Sequence, residues 1–322
     1  MTNSISVNMD NMHATRDAFG ETLSELKASG KNVVAVDADL AGSTTTKKFA
    51  GADATNEKYL IDCGIAEQNM IDVAAGLSLT GFTAFTGSFA VFGCGRTYDQ
   101  IRNTVCYSNL DVKICPTHSG ISVGPDGGSH QMIEDLALMQ VLPNMKVLVP
   151  ADYMSAKAAI RTASVTPGPV YVRMGREKLP QIYSENFECK LGCSNVIQTG
   201  EDCVIVACGL EVFEAIKAAE ILMRDGISVT IIDAYSIKPL DVDTICKHVS
   251  SVKRVVVCEE HSIYGGLGSS VAQALLNNGI NASFRQIAVD DKFGTSGNFS
   301  ELMREYKLDA AAIEDAVKSL IV

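Results

Sequence analysis

The chain has 322 residues, more than one hydrophobic core usually organises, so its length predicts two domains. Apolar residues make up 47% of it and charged residues 20%, a composition that excludes wholesale disorder. The formal charge of -11, with no basic block anywhere, excludes nucleic acid as an expected partner.

The first half of the chain alternates amphipathic helical patterns with short β-branched runs, which predicts βα units on a largely parallel sheet. The first helix is predicted from Ala14 to Ser29 and ends before Gly30, a residue favoured just past a helix end. Its apolar stripe consists of Phe19, Leu23 and Leu26. The elements predicted after it are strands at Val33–Val36 and Tyr59–Ile61, a helix from about Ala66, a strand at Phe82–Thr86, a helix at Tyr98–Val105, and strands at Val112–Thr117, Lys146–Val149 and Pro169–Arg173.

A polar, irregular segment from about Leu179 to Asp202 has no amphipathic period and predicts a linker. The alternation then restarts, with strands predicted at Val204–Ala207, Ser228–Ile232, Val255–Cys258 and Ser283–Ala288 and helices between them. The predicted fold class is therefore α/β, with two consecutive domains that are each a largely parallel sheet flanked by helices. The predicted boundaries are a first domain over 1–180, a linker over 181–202 and a second domain over 203–322.

Acidic and aromatic residues stand where strands of the first domain are predicted to end. Asp37 and Asp39 follow the second element, at the edge where open parallel sheets bind ligands. Glu67 falls in the first turn of a helix, where an acid also complements the helix dipole without any further function. Phe89 and Phe92 are three residues apart beside small residues, which suits either a core stripe or the wall of a pocket for a flat heterocycle.

The segment from Thr117 to Gln131 is dense in glycine and predicts a long loop after a strand. It carries His118, Asp126 and His130, side chains that suit hydrogen bonding to hydroxyls or phosphate. A metal ion is the competing ligand, but these three residues lack compact ligand spacing and thiolate support. The loop therefore predicts a site for a polar small molecule.

These segments resemble the pyrimidine-binding half of transketolase, and from about residue 14 to its end the chain resembles the C-terminal subunit of a split transketolase. The segment Asp-Cys-Gly-Ile-Ala-Glu, which ends at Glu67, is similar to the family's Gly-x-x-Glu at the thiamine diphosphate site. The resemblance implies that Glu67 contacts N1′ of the aminopyrimidine and promotes loss of the thiazolium proton. It also implies that Phe89 and Phe92 pack around the pyrimidine and that Asp39 lies near the cofactor and the subunit contact. The first domain would then have the thiamine diphosphate-binding fold and the second the transketolase C-terminal fold.

The same resemblance implies a set of substrate-binding residues, namely Arg16, Ser43, His118, Asp126, His130 and Arg176. His118 and Arg176 match phosphate ligands, and a guanidinium fork suits that anion. Asp126 and His130 match residues that hold hydroxyls of the donor sugar. His130 joins Glu67 as a predicted catalytic residue.

Full-length transketolases carry an N-terminal Gly-Asp-Gly motif, followed later by Asn, that holds the diphosphate through Mg²⁺. We find no such motif in this sequence, because no suitable Asn follows Asp126-Gly127. The resemblance therefore implies an N-terminal partner subunit that carries the Mg²⁺ ligands, and none on this chain. It further implies an alpha2beta2 assembly that moves a two-carbon ketol unit between sugar phosphates.

The second domain carries a glycine loop from Glu259 to Ser269 between a predicted strand and helix. Backbone amides at a helix start favour anions, so the spacing alone also allows a phosphate. The resemblance instead implies a structural domain that bears on subunit packing, with His261 as a local hydrogen-bonding residue.

Three alternatives share parts of this pattern. The β chain of a 2-oxo acid dehydrogenase has the same two-domain plan and a pyrimidine-side glutamate, but His118, Asp126 and His130 have no obvious function with a 2-oxo acid. Deoxyxylulose phosphate synthase ordinarily joins both halves in one longer chain. A noncatalytic partner subunit of the same fold is the third alternative, because fold does not fix function.

The chain has ten cysteines, but their placement does not predict disulfides. Cys208 and Cys258 end apolar runs, where a thiol behaves as a small hydrophobe in a reducing cytosol. Cys189 and Cys193 have no second Cys or His cluster nearby, so zinc is not expected. The first ten residues lack the features of a signal peptide, and no run reaches membrane-spanning length. The sequence therefore predicts a soluble cytoplasmic protein without a membrane partner.

Overall fold

The structure, a computed structural model, describes residues 7–321. Its strands are β1 (Asn8–Ala14), β2 (Val33–Asp37), β3 (Leu60–Asp62), β4 (Thr83–Gly87), β5 (Val112–Ile114), β6 (Lys146–Leu148), β7 (Val170–Val172), β8 (Lys178–Gln181), β9 (Asn195–Gln198), β10 (Cys203–Ala207), β11 (Val229–Asp233), β12 (Ser236–Lys238), β13 (Arg254–Ser262) and β14 (Ser283–Val289). Its α-helices are α1 (Asp17–Ala28), α2 (Ala41–Thr44), α3 (Thr46–Ala52), α4 (Glu67–Leu79), α5 (Asp135–Val141), α6 (Tyr153–Val165), α7 (Glu211–Arg224), α8 (Val242–Val252), α9 (Leu267–Asn277), α10 (Phe299–Glu305) and α11 (Ala310–Ile321). Segments Val91–Arg96 and Gln100–Cys106 are π-helical.

The first sheet has seven strands in the order β12-β6-β7-β5-β4-β2-β3. All neighbours pair in parallel except β12, which is antiparallel to β6. Because β2, β4 and β5 are adjacent and parallel, their carboxyl ends meet at one edge, the place where such sheets bind ligands. The residues that follow these strands therefore lie side by side.

The second sheet has five strands in the order β14-β13-β10-β11-β9, and only β9 runs antiparallel to its neighbour. Its central strand β10 is fully buried, as expected for a strand covered by helices on both faces. Two largely parallel sheets flanked by helices confirm the predicted fold class.

The two domains are joined by more than the chain that connects them. Strand β12 follows β11 in the chain, yet it extends the first sheet at its β6 edge. One buried apolar cluster also runs from Val34 and Met70 in the first domain to Val204 and Val257 in the second. The second domain therefore packs directly against the first.

Most predicted elements occur within a few residues of their predicted positions, and three regions differ. The first helix begins at Asp17, because Ala14 instead ends β1 and pairs with Lys178 of β8 in a two-stranded antiparallel ribbon. The strand predicted to reach Thr117 ends at Ile114, two residues before Pro116, which has no N–H for a ladder hydrogen bond. The segment predicted as a linker contains β9, which joins the second sheet. The domain boundaries themselves stay a prediction.

Candidate functional site

Glu67 is the first residue of α4 and is only 4% exposed. Both of its carboxylate oxygens lie 3.0 Å from Nη1 of Arg96, whose side chain is half exposed. The Arg96 guanidinium also lies over the Phe92 ring, 4.7 Å from its centroid. At the carboxyl edge of the first sheet, the flat Arg96 guanidinium thus lies on the face of the Phe92 ring and donates to the Glu67 carboxylate.

The predicted aromatic and histidine residues come together beside this group. The rings of Phe89 and Phe92 are nearly parallel, with centroids 6.2 Å apart. The His118 ring stacks on Phe89 at 3.8 Å, and the His130 ring meets Phe92 edge-on at 5.3 Å. The four rings form a wall suited to a flat ligand.

Arg16 lies beside His118, at one end of this group of rings. Its Nη1 donates to the carbonyl oxygen of Ser43 at 3.0 Å and lies 3.2 Å from Nε2 of His118. Ser43 therefore contributes its backbone carbonyl to this contact and not its hydroxyl. Burial lowers the pKa of Arg16, and the nearby Arg176 also lowers it. Two neighbouring guanidinium groups favour the binding of an anion.

The surroundings of His118 fix its tautomer. Arginine can only donate, so Nε2 of His118 accepts from Arg16, and its proton is on Nδ1, which donates to Oγ1 of Thr117 at 2.7 Å. Burial lowers the pKa of His118 to about 3, with Arg16, Arg176 and His130 adding to the effect. His118 is therefore a neutral hydrogen-bonding group at physiological pH.

We expect the His118 ring to stay neutral between about pH 8 and about pH 5, where an ordinary histidine takes up a proton. Ring carbon and nitrogen shifts from NMR, identified with a His118→Asn variant, would report this. The unfolded chain does take up that proton, so the contribution of His118 to stability is present above pH 6.5 and is lost as the pH falls towards 3. A titration of the native ring near pH 6.5 would contradict the burial and the cationic surroundings described above.

Arg176 lies against the glycine-rich loop. Its Nη1 donates to the carbonyl oxygen of Val123 at 2.6 Å and lies 3.3 Å from Oδ2 of Asp126. Nδ1 of His130 lies 3.0 Å from the hydroxyl of Ser129. The structure thus brings nine predicted residues into one region: Arg16, Ser43, Glu67, Phe89, Phe92, His118, Asp126, His130 and Arg176.

Asp39 stands apart from this group. It is exposed, its backbone has φ +62°, and its N–H donates to Oδ1 of Asp62 at 3.0 Å. Among residues 7–321, no hydrogen bond or ring contact joins it to the histidine and phenylalanine cluster. Its predicted place near the cofactor and a subunit contact stays a prediction, as do the functions of the other predicted site residues.

Arg96 was not among the predicted site residues. Arg96 follows Phe92 by four residues in a helical segment, a spacing that places both on one face and could have been noticed. Arg173, three residues before Arg176, is buried and forms an ion pair with Asp135. It belongs to the core and not to the site.

Within residues 7–321, no group of three or more His, Cys, Asp or Glu residues could hold a metal ion. All ten cysteines are free. No helix in this part of the chain is long and apolar enough to cross a membrane.

The two parallel sheets and the site at the edge of the first define a class, the two-domain α/β proteins with a small-molecule site at strand ends. Residues 11–181 match the family described as the transketolase pyrimidine binding domain, and residues 192–313 match the transketolase C-terminal domain. The chain belongs to the transketolase family.

Individual relatives support this membership. The chain is 46% identical to a putative transketolase C-terminal section from Methanocaldococcus jannaschii, over 92% of this chain and 93% of that protein. It is 35% identical to one of the subunits of an apulose-4-phosphate transketolase from Phocaeicola vulgatus, over 94% of this chain and 96% of that protein. A solved structure described as a split gene transketolase, inactive beta4 tetramer, superposes with a TM-score of 0.87 at 40% identity, covering 97% of this chain and 99% of that one.

These findings confirm the predicted resemblance and the predicted class of enzyme, a transketolase subunit of the split type. They do not favour the alternatives, the β chain of a 2-oxo acid dehydrogenase or a noncatalytic partner of the same fold. The family implies thiamine diphosphate as the cofactor.

Proposed function

We propose that this chain is the pyrimidine-side subunit of a split transketolase that binds thiamine diphosphate and Mg²⁺ together with an N-terminal partner subunit. The observation that carries the proposal is the nearly buried Glu67 carboxylate, which holds a flat N–H donor against the Phe92 ring. When bound, thiamine diphosphate would supply the nucleophilic carbon and the electron sink for transfer of a two-carbon ketol unit.

The residues around Glu67 fit an aminopyrimidine. The Arg96 guanidinium demonstrates that a planar group with N–H donors can lie on Phe92 and bond to the Glu67 carboxylate at the same time. An aminopyrimidine has the same flatness and the same kind of polar edge. Glu67 would hold N1′ of that ring through a proton shared between the carboxyl group and the ring nitrogen, which would favour the imino tautomer, while Phe89 and Phe92 would exclude water from its faces.

Arg16, His118 and Arg176 would bind the phosphate of the sugar. The Nε–H of Arg16 is buried and has no hydrogen-bond partner within the described residues, which leaves a donor for an incoming anion. Arg16 and Arg176 would supply positive charge. Once Arg16 turns to the phosphate, the neutral His118 ring would take its other tautomer, with Nε2 donating to the phosphate and Nδ1 accepting from the Thr117 hydroxyl. Asp126 and His130, on the same loop, would hold hydroxyls of the donor.

The proposal puts the Mg²⁺ ligands on the partner subunit, in the family's Gly-Asp-Gly motif. It also gives the active form as an alpha2beta2 assembly. The similar solved structure, a beta4 tetramer described as inactive, supports the need for a second kind of subunit. Ten free cysteines suit a reducing setting, so the proposed location is the cytoplasm.

The test is reconstitution. This chain, mixed with a candidate N-terminal subunit, thiamine diphosphate and Mg²⁺, should transfer ketol units from a panel of pentose, heptose and branched sugar phosphates, and neither subunit alone should do so. The panel also decides the substrate, since one relative is named for apulose 4-phosphate. Turnover by this chain with no companion polypeptide would overturn the split-subunit proposal, and oxidation of 2-oxo acids without ketol transfer would overturn the reaction.

A further inference from the structure

The second domain contacts the glycine-rich loop of residues 117–131 through a buried carboxylate. Glu260 of β13 is 4% exposed, and its Oε1 accepts a hydrogen bond from the backbone N–H of Ser122 at 2.6 Å. Gly120 has φ +78°, and a Cβ at this position would overlap the Glu260 carboxyl group. The loop therefore needs glycine here for two reasons, its left-handed backbone and the close approach of Glu260.

A second contact lies further along the same loop. Nε2 of Gln131 donates both to the carbonyl of Ile121 at 2.9 Å and to the carbonyl of Thr295 at 3.0 Å. A Cβ at Gly127 or Gly128 would overlap atoms of the segment 294–296. Two parts of the second domain thus hold the loop at both of its ends.

We propose that Glu260 is a positioning residue for sugar phosphate binding, which acts by holding the loop that carries His118, Asp126 and His130. The inference rests on the function proposed above, because that function makes the loop a binding element. A buried carboxylate is costly unless it is hydrogen-bonded, and the loop amide is the partner observed. Losing the acceptor would free the Ser122 amide and leave Gln131 to make the loop's remaining hydrogen bond to the second domain.

The surroundings of Glu260 agree with this role. Burial raises its pKa to about 7, while Arg173 opposes that rise and Asp135 adds to it. The side chain of Arg173 donates to the backbone carbonyl of Glu260 at 2.9 Å and so fixes the strand from which the carboxylate extends. The carboxylate of Glu260 is therefore held by its own strand in a position where it meets the loop of the other domain.

The preceding residue offers a matched control. Glu259 is also fully buried, and its two oxygens accept from the backbone N–H groups of Leu267 and Gly268, each at 2.7 Å, at the start of α9. Glu259 therefore supports a helix within the second domain, whereas Glu260 supports the loop. A purely structural role would make the two positions respond alike.

The experiment compares Glu260→Ala, Glu260→Gln and Glu259→Gln in the reconstituted complex. We expect Glu260→Ala to raise the KM for the donor sugar phosphate about tenfold or more, with a smaller change in kcat and unchanged affinity for thiamine diphosphate. Glu260→Gln keeps an acceptor and should stay within about threefold of the wild-type KM. Glu259→Gln should lower the thermal midpoint without changing KM. Equal KM values for Glu260→Ala and the wild type would overturn the proposal.

Measuring amide hydrogen exchange in the loop tests the positioning role of Glu260 independently of the proposed enzymatic function. In the unmutated chain the Ser122 amide should be protected, and Glu260→Ala should speed its exchange about tenfold or more while Glu259→Gln leaves it unchanged. If Glu260→Ala does not fold, Gln131→Leu, which removes the other anchor, should also speed loop exchange and raise KM. An inactive wild-type complex would count against the proposed function alone, and unchanged loop exchange in Glu260→Ala would count against the positioning role alone.

Discussion

Replacing Glu67 by glutamine should slow exchange of the thiazolium C2 proton of the bound cofactor by about two to four orders of magnitude in the reconstituted complex. Glutamine keeps nearly the same shape and reach, so the Phe92 side of the pocket is undisturbed. It cannot share a proton with N1′, as the carboxyl group of Glu67 would do to drive the aminopyrimidine toward its imino form. NMR detection of hydrogen–deuterium exchange after rapid acid quench measures this step directly, before any sugar binds.

The alternative for Glu67 is a local structural role, in which it pairs with Arg96 and complements the dipole of α4. Arg96 is half exposed, so losing the pair and the first-turn charge costs only about 0.3–1 kcal/mol of unfolding free energy. Arg96→Gln removes the same ion pair but keeps the carboxylate, and it should lower stability by a similar amount. Slow exchange in Glu67→Gln beyond that seen in Arg96→Gln therefore reports the carboxylate, and near-normal turnover of Glu67→Gln at saturating cofactor would remove Glu67 from the mechanism.

The βα units of both domains could be predicted because buried parallel strands are continuous apolar runs, such as Val33–Val36 and Val204–Ala207. Strand β12 could not be predicted, because the sequence Ser-Ile-Lys is too short to show the alternation of apolar and polar residues that is typical of a strand. Its position comes from pairing with β6, which lies far earlier in the chain, and from the packing of one domain on the other. Local pattern contains no information on such a contact.

The glycines of the loop from Thr117 to Gln131 are a second case in which the local sequence does not identify a long-range contact. Their density between Thr117 and Gln131 predicted a ligand-holding loop, and the structure does bring His118 and His130 to one ring wall. Gly120, however, lies under Glu260, and Gly127 and Gly128 lie under the segment 294–296. A sequence indicates that the backbone needs freedom at these positions but not which distant element approaches it. The spacing of Arg96 from Phe92 indicates that these two can meet, but no local pattern links Arg96 to Glu67, which lies 29 residues earlier.

The buried ion pair of Arg173 with Asp135 gives the largest expected effect on stability. Nε of Arg173 lies 2.7 Å from Oδ2 of Asp135 and its Nη2 lies 3.1 Å from Oδ1, while the hydroxyl of Tyr171 also donates to Oδ2. Both charged side chains are almost completely excluded from solvent. Burial would raise the pKa of Asp135, but the adjacent guanidinium holds it below its ordinary value, so the pair is charged at neutral pH.

Asp135→Asn should therefore lower the free energy of unfolding by about 3–5 kcal/mol, because it leaves the Arg173 guanidinium buried without a counter-charge. Asp135→Leu combined with Arg173→Met removes both charges and should recover most of that loss, since apolar groups of similar volume often replace a buried pair at little cost. Urea unfolding at neutral pH measures both. The pair's contribution is present above the unfolded pKa of Asp135 and is lost as the pH falls through its lower folded pKa, so the gap between wild type and Asp135→Asn should close in acid. A double variant as unstable as the sum of its single changes would show that Arg173 and Asp135 act through their separate contacts and not as a pair.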